Sequence, residues 1–190
     1  QLADALEAVW QPQVLQGKKV LITAGPTFEA IDPVRGITNS SSGKMGYAVA
    51  QAALNAGAEV VLVSGPTCLA PPVRAKTIRV TSAQEMFDAV ERDVAGCDIF
   101  IAVAAVADYR VASPSAQKIK KDGSALTLSL TPNPDILASV ASRPDAPFCV
   151  GFAAESENLH QNAEAKRRRK KLPLIVANLA QEAIGSDDNE

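Results

Sequence analysis

Ser41-Ser42-Gly43-Lys44 stands between a long polar loop and a run in which Met45, Ala48, Val49, Ala52, Ala53 and Ala56 recur at helical spacing. A helix starting there would offer unpaired backbone N–H groups and serine hydroxyls to an anion, so phosphate binding is the chemistry these residue types suit. Taken alone, the segment reads equally well as a serine N-cap before a packed helix. Two common nucleotide motifs fail on it. A P-loop needs Gly-x4-Gly-Lys-Ser/Thr, but Thr38 holds the first position and Met45 follows Lys44. The dinucleotide fingerprint would read Ser41-x-Gly43-x-x-Gly46, and Pro66 stands where the ribose-binding acid is required.

Other charged groups are distributed in ways that leave alternatives open. Lys118, Lys120 and Lys121 fall in a polar, Pro-containing loop over residues 113–123, which fits a solvated surface as well as a phosphate contact. Lys166 and Lys170 are four apart and share one helix face within the basic run 166–171. That run lacks the interleaved aromatics of an RNA-binding surface. Asp108 suits either a ligand contact or a turn cap. Cys68, Cys97 and Cys149 show no Cys-x-x-Cys spacing and read as buried reduced thiols. His160, the one histidine, sits among Asn158, Gln161 and Asn162 and reads as solvated helix surface. A zinc site finds no ligand set, and a Ser-His-Asp triad is open only with His160 as its base.

The elements that must carry these groups follow from the apolar pattern. With 190 residues, 47% of them hydrophobic, the chain can bury one substantial core. A net charge of −2 with both signs dispersed provides no global field for nucleic acid or an anionic membrane. No apolar run reaches the roughly 18 residues of a membrane span and the first ten residues lack a signal-peptide pattern, so a soluble, cytoplasmic protein is expected. Strands are expected at residues 20–24, 59–63, 77–80, 99–104, 148–153 and 174–177, with a half-exposed strand at 125–131 where Leu126, Leu128 and Leu130 alternate with small polar residues. Helices are expected at 45–56, from the Ser82-x-x-Glu85 capping box to about 95, from Pro134-Asp135, and over 157–171. The alternation predicts an α/β fold: a Rossmann-like, doubly wound, mainly parallel sheet with helices on both faces and a small additional β element. Residues 1–16 read as a linker from a preceding domain and 17–190 as the nucleotide-binding domain. Ligands of such sheets bind outside the carboxyl ends of the strands, where Gly25-Pro26-Thr27, Gly65-Pro66, residues 104–108, residues 151–155 and Asn178 gather.

The motifs VLITAGPT, DPVR, ITNSSSGKMG, VSGPT, AAVADYR, KIKK, NPDI, GFAAE and KRRRKK occur in this order. Together they resemble the phosphopantothenate–cysteine ligase family over residue 17 to the end. In bacteria such ligases usually form the C-terminal half of a bifunctional coenzyme A biosynthesis flavoprotein. The resemblance thus implies fusion to a flavin-dependent decarboxylase half that holds the flavin, and a domain that continues past Glu190. It implies a two-step reaction. The carboxylate of 4′-phosphopantothenate attacks the α-phosphate of CTP with Mg²⁺, releasing pyrophosphate, and L-cysteine then displaces CMP from the acyl-cytidylate. It implies nucleotide contacts from Ser41, Ser42, Gly43, Lys44, Met45, Ala104, Asp108, Lys118, Asn133, Pro134, Asp135, Ile136, Phe152, Lys166 and Lys170. It implies substrate contacts from Arg35, Asn39, Ala104, Ala105 and Asp108, with Asn39 and Lys118 catalytic and no metal ligand indicated. The family is dimeric, with an arginine matching Arg35 reaching the neighbouring subunit's substrate. Four positions depart from the commonest pattern: Phe28 for arginine, Ala30 for proline, Gly36 for a bulky aromatic, and Ser40 for histidine or arginine. An NAD(P)-dependent reductase and a non-catalytic nucleotide-sensing module remain as alternatives on the same fold.

Overall fold

The computed structural model describes residues 11–179; the expectations for residues 1–10 and for the last residues of the chain lie outside them. In chain order the strands are β1 (Lys19–Ala24), β2 (Phe28–Ala30), β3 (Gly36–Thr38), β4 (Glu59–Ser64), β5 (Lys76–Arg79), β6 (Ile99–Ala102), β7 (Tyr109–Val111), β8 (Leu130–Pro132), β9 (Phe148–Glu155) and β10 (Leu174–Leu179). The helices are α1 (Lys44–Asn55), α2 (Ala83–Asp93), α3 (Ile136–Ala141) and α4 (Leu159–Arg169). Six strands form one parallel sheet in the order β10-β9-β6-β1-β4-β5. From the centre outward this is the doubly wound arrangement, with its strand order reversing between β1 and β6. Among the described residues no helix is long and apolar enough to cross a membrane.

Period-two alternation divides the core between the two faces of the sheet. Val20, Ile22 and Ala24 of β1 join Val60 and Leu62 of β4 beneath Tyr47, Ala50, Ala53 and Leu54 of α1. Leu21, Val63, Phe100 and Cys149 point to the other face, against Met86, Ala89 and Val90 of α2 and Ile136, Leu137 and Val140 of α3. Each Val, Leu, Ile, Phe or Met among them contributes roughly 1.5–3 kcal/mol relative to exposure. Leu172, just beyond α4, belongs to the second cluster, and the Lys170 ammonium pairs with Asp135 ahead of α3, so the C-terminal end of α4 is tied to the start of α3.

Helix starts are set locally. Ser82 Oγ accepts from the Glu85 N–H at 3.2 Å, while Glu85 Oε2 reaches back to the Thr81 N–H at 2.7 Å, one residue beyond the expected box. The buried Glu29 supplies a third acceptor, taking the Ala83 N–H at 2.8 Å, and thereby ties β2 to α2.

Three expectations need correction. Of the expected strand at 125–131 only Leu130 and Thr131 fall in a strand, β8, which runs on to Pro132 and pairs antiparallel to β7. Leu126 and Leu130 are 55% and 47% exposed, because an alternating segment becomes a strand only where a neighbour accepts its backbone bonds. Cys149 is buried but Cys68 is exposed, since it follows the Gly65-Pro66-Thr67 turn rather than a strand. The serines before α1 are not its cap: Gly43 is, at φ 83°.

The small additional β element is two antiparallel pairs, β2–β3 and β7–β8. In β2–β3, Phe28 lies diagonally across from Gly36, and a Cβ on Gly36 would fall 2.3 Å from the Phe28 ring. The Phe28 ring thus occupies the space that a side chain at position 36 would need. Residues 13–16, expected as linker, dock on the end of α1 through the Leu15 N–H to Ala56 C=O bond (2.8 Å) and Gln13 Nε2 to Asn55 C=O (2.9 Å).

Candidate active site

Beyond their formal ends, β1 and β6 stay joined. The Ala105 N–H donates to Gly25 C=O (2.9 Å), the Thr27 N–H to Ala105 C=O (3.2 Å), and the Ala107 N–H to Thr27 Oγ1 (2.9 Å). Thr27 is fully buried and holds both chains at the switch point. The start of α1 presses on this junction: a Cβ on Gly43 would lie 3.2 Å from Gly25 Cα, and one on Gly46 would lie 2.5 Å from Ala24 Cβ. Thr67 Oγ1 ties the Ser42 C=O at 2.9 Å, while Ser41 and Ser42 accept weakly from the Gly43 and Lys44 N–H groups at 3.3 and 3.4 Å. The cap residue Gly43 has no side chain to offer α1, and the Lys44 N–H bonds weakly to Ser42 Oγ, so the start of α1 that the sequence pointed to as suited to an anion lies at this junction. Asn39 Nδ2 donates to Ala105 C=O at 2.9 Å, which brings together two expected substrate residues and leaves one amide hydrogen for a ligand.

On the α3–α4 side of the same junction lies a cleft of about 290 Å³. Thr23, Ala102 and Ala104 form its floor, and Asp108, Asn133, Pro134, Asp135, Ile136, Phe152, Lys166 and Lys170 complete it. Nine of the fifteen expected nucleotide contacts, Ala104, Asp108, Asn133, Pro134, Asp135, Ile136, Phe152, Lys166 and Lys170, thus meet in one place, whereas residues 41–45 and Lys118 do not line it. Asn133 is committed within the protein: Nδ2 donates to Ala107 C=O (2.8 Å) and Oδ1 accepts from Arg110 (3.1 Å). It therefore shapes the wall rather than reaching inward. The Asp108 carboxylate makes no hydrogen bond or ion pair among the described residues.

The basic run on α4 divides by helical phase. Lys166 Nζ donates to Phe152 C=O at 2.9 Å, and Lys170 Nζ pairs with Asp135 at 2.7 Å. Arg167 and Arg168 turn away and pair with Glu164. Burial pushes the Lys166 ammonium down, and the neighbouring Lys170 charge adds to that. At Asp135 burial works to raise the pKa, but the bonds from Lys170 and the Ala138 N–H outweigh it, and the carboxyl ends below its ordinary value. A polyphosphate entering here would meet two ammonium groups whose present partners are one carboxylate and one carbonyl.

Arg35 and Lys118 do not line the cleft. Arg35 bonds to Asp32 and to the Ile119 C=O of its own chain, and Lys118 stands exposed on the loop beside it. Sequence reasoning placed Gly25-Pro26-Thr27 at the ligand end of the sheet without assigning the Thr27 hydroxyl a task, and it missed Asp32 and Thr67. The Asp-Pro pair at 32–33 was the available signal, since such pairs open turns whose carboxylate caps backbone N–H groups. A larger, shallower groove of about 490 Å³ runs along α4 and the middle of β10, away from the strand ends. Its one carboxylate, Glu164, is already paired. Among the described residues no three His, Cys, Asp or Glu side chains converge as a metal site would require.

Residues 15–190 match the family described as DNA/pantothenate metabolism flavoprotein C-terminal domain. The chain is 52% identical over 195 aligned residues to the Coenzyme A biosynthesis bifunctional protein CoaBC of Vibrio vulnificus, covering 100% of this chain and 49% of that protein. It thus spans about half the length of the curated relatives it matches. Its fold is similar to the crystal structure of the C-terminal domain of Coenzyme A biosynthesis bifunctional protein CoaBC, at TM-score 0.78 and 48% identity over 87% of this chain and 79% of that one. A Cab2 mutant in complex with phosphopantothenate-cysteine shares the fold alone, at 18% identity and TM-score 0.73, over 95% of this chain and 78% of that one. By sequence over nearly its whole length, and by the fold that carries the cleft, the chain belongs to the family of DNA/pantothenate metabolism flavoprotein C-terminal domains.

Proposed function

We propose that this domain is a phosphopantothenate–cysteine ligase that activates 4′-phosphopantothenate with CTP and joins it to L-cysteine in coenzyme A biosynthesis, in the cytoplasm. The observation that carries this reading is the meeting of Ala104, Asp108, Asp135, Phe152, Lys166 and Lys170 around one cleft beside the Asn39–Ala105 contact. The reaction asks for no nucleophilic side chain, because both of its nucleophiles belong to substrates. The protein's part is positioning and charge. The base and ribose would lie between Phe152 and residues 133–136, the triphosphate would run toward the start of α1, and Lys166 and Lys170 would exchange their present partners for phosphate oxygens. Asn39 would hold the acyl oxygen with its remaining amide hydrogen, and Lys118 would meet the phosphates as its loop closes. A divalent cation would be held mainly by the nucleotide's own phosphates, as Mg²⁺ commonly is, with Asp108 the nearby carboxylate.

Similarity to proteins twice this length supports a flavin-binding partner half in the complete protein. A homodimer is supported by the apolar surface that Tyr109, Leu126 and Leu130 leave open. A nicotinamide enzyme has less support. The second strand of such a site ends in a ribose-binding acid, whereas β4 ends at Ser64, which is buried and bonded to the Tyr47 hydroxyl at 2.9 Å.

The test is pyrophosphate release by the full-length protein with phosphopantothenate and CTP, ATP or NADPH in turn, with and without cysteine. Release with CTP and phosphopantothenate together is expected, and binding without any release would favour a sensing module. Rapid-quench mass spectrometry then separates the steps. Lys118→Gln should cut acyl-cytidylate formation to a residual rate that single turnovers can still follow, while Asn39→Asp should let the intermediate accumulate, since loss of one positioned donor typically costs about 10²–10³ in rate.

A further inference from the structure

The loop over residues 113–123 is held to the β2–β3 turn at two points. The Ser115 N–H donates to Ile31 C=O at 2.9 Å. Four residues on, Ile119 is gripped at both ends: its N–H donates to Asp32 Oδ2 (3.1 Å) and its C=O accepts from Arg35 Nη2 (2.8 Å). Asp32 has no solvent-exposed side-chain surface, whereas Arg35 is 44% exposed. The Asp32 carboxylate also accepts from the Val34 and Arg35 N–H groups at 2.9 Å each and from Arg35 Nε at 3.0 Å. The Arg35 guanidinium, against the effect of burial, holds that carboxyl well below the usual carboxylate range. The two peptide planes that flank Ile119 are those whose orientation decides how Lys118 and Lys120 leave the loop.

We propose that Asp32 and Arg35 form a clasp within one chain that positions Lys118, making both of them positioning residues for phosphate engagement. This rests on the reading of Lys118 given above. A loop held at Ser115 and Ile119 has three residues between its anchors, and one of them, Gln117, is bonded to the Ser115 hydroxyl through its C=O (2.6 Å) and N–H (3.3 Å), so much of the ordering that Lys118 needs is in place before a nucleotide arrives. The geometry also gives Arg35 a task inside its own chain, different from reaching a neighbouring subunit's substrate. Leaving the clasp would strand a buried carboxylate without its countercharge.

Two measurements on the full-length protein test this, using Asp32→Asn and Arg35→Gln with thermal melting as a check on folding. Brief trypsin digestion read by mass spectrometry reports the loop directly. Cleavage after Lys118 and Lys120 should be at least tenfold faster in both variants, with the fragments from the other sites shared with wild type appearing at wild-type rates; the site after residue 35 is absent from Arg35→Gln and is left out of the comparison. Single-turnover pyrophosphate formation reports the consequence. Arg35→Gln should slow it about tenfold in the wild-type background but less than twofold in Lys118→Gln, because the clasp acts through that lysine. Unchanged loop cleavage, or equal losses from Arg35→Gln in both backgrounds, would overturn the proposal. Should Asp32→Asn fail to fold, Arg35→Gln decides alone. A wild-type protein that releases no pyrophosphate defeats the ligase reading, and the cleavage comparison then still decides whether the clasp exists.

Discussion

Lys170 and Arg168 are two residues apart on or beside α4, yet one faces the cleft and the other pairs with Glu164 on the far side. Lys170→Ala should therefore raise the KM for CTP more than it lowers kcat, and Arg168→Ala should leave both near wild type in steady-state assays. The same lysine gives acid sensitivity. Asp135 titrates below its ordinary value, so its bonds stabilise the fold above the normal carboxylate range, and that contribution is lost as pH falls through the lowered folded value. Asp135→Asn should flatten the fall in denaturant stability as pH drops through and below the normal carboxylate range. The i, i+4 spacing of Lys166 and Lys170 was enough to read their shared face from sequence. The Asp32 clasp was not readable, because its partner Ile119 is 87 residues away and nothing local to either segment records the contact. Nor did the sequence show that Phe28 fills the space above Gly36. Gly36→Tyr alone should lower the melting temperature through overpacking, about 1–3 kcal/mol, and Phe28→Ala with Gly36→Tyr should recover most of it.

At the level of elements, periodicity predicted the six parallel strands and the main helices because each strand is covered by its own domain and each apolar stripe has one place to go. It failed at residues 125–131, where an alternating pattern exists but only its last residues find a partner strand. The packing of α1 on the end of β1 tests how closely the site is built. Gly65 belongs to this junction, and a Cβ there would sit 1.8 Å from the Pro26 carbonyl oxygen, a backbone atom with no room to give. Gly65→Ala should cost more than about 3 kcal/mol in chemical denaturation, or prevent folding, whereas Gly96→Ala, with nothing within 4 Å of the added carbon, should cost only what its positive φ imposes.

For the molecule as a whole, the exposed Tyr109, Leu126 and Leu130 predict self-association through β7–β8. Leu130→Glu should shift sedimentation toward the monomer, and a wild-type protein that is monomeric at every concentration would remove this surface from consideration. The central place of β1 has a kinetic side as well. One of its edges is taken by β4, which is complete at Ser64, but the other waits for β6 to begin at Ile99. At synthesis rates of about 5–20 residues per second, a nascent chain shows that apolar edge for a few seconds while residues 65–98 emerge from the ribosome. An unpaired edge of this composition templates association between neighbouring chains. Slower codons across residues 65–98 should accordingly lower the soluble yield, and faster ones raise it, with no change in the stability of the protein that does fold.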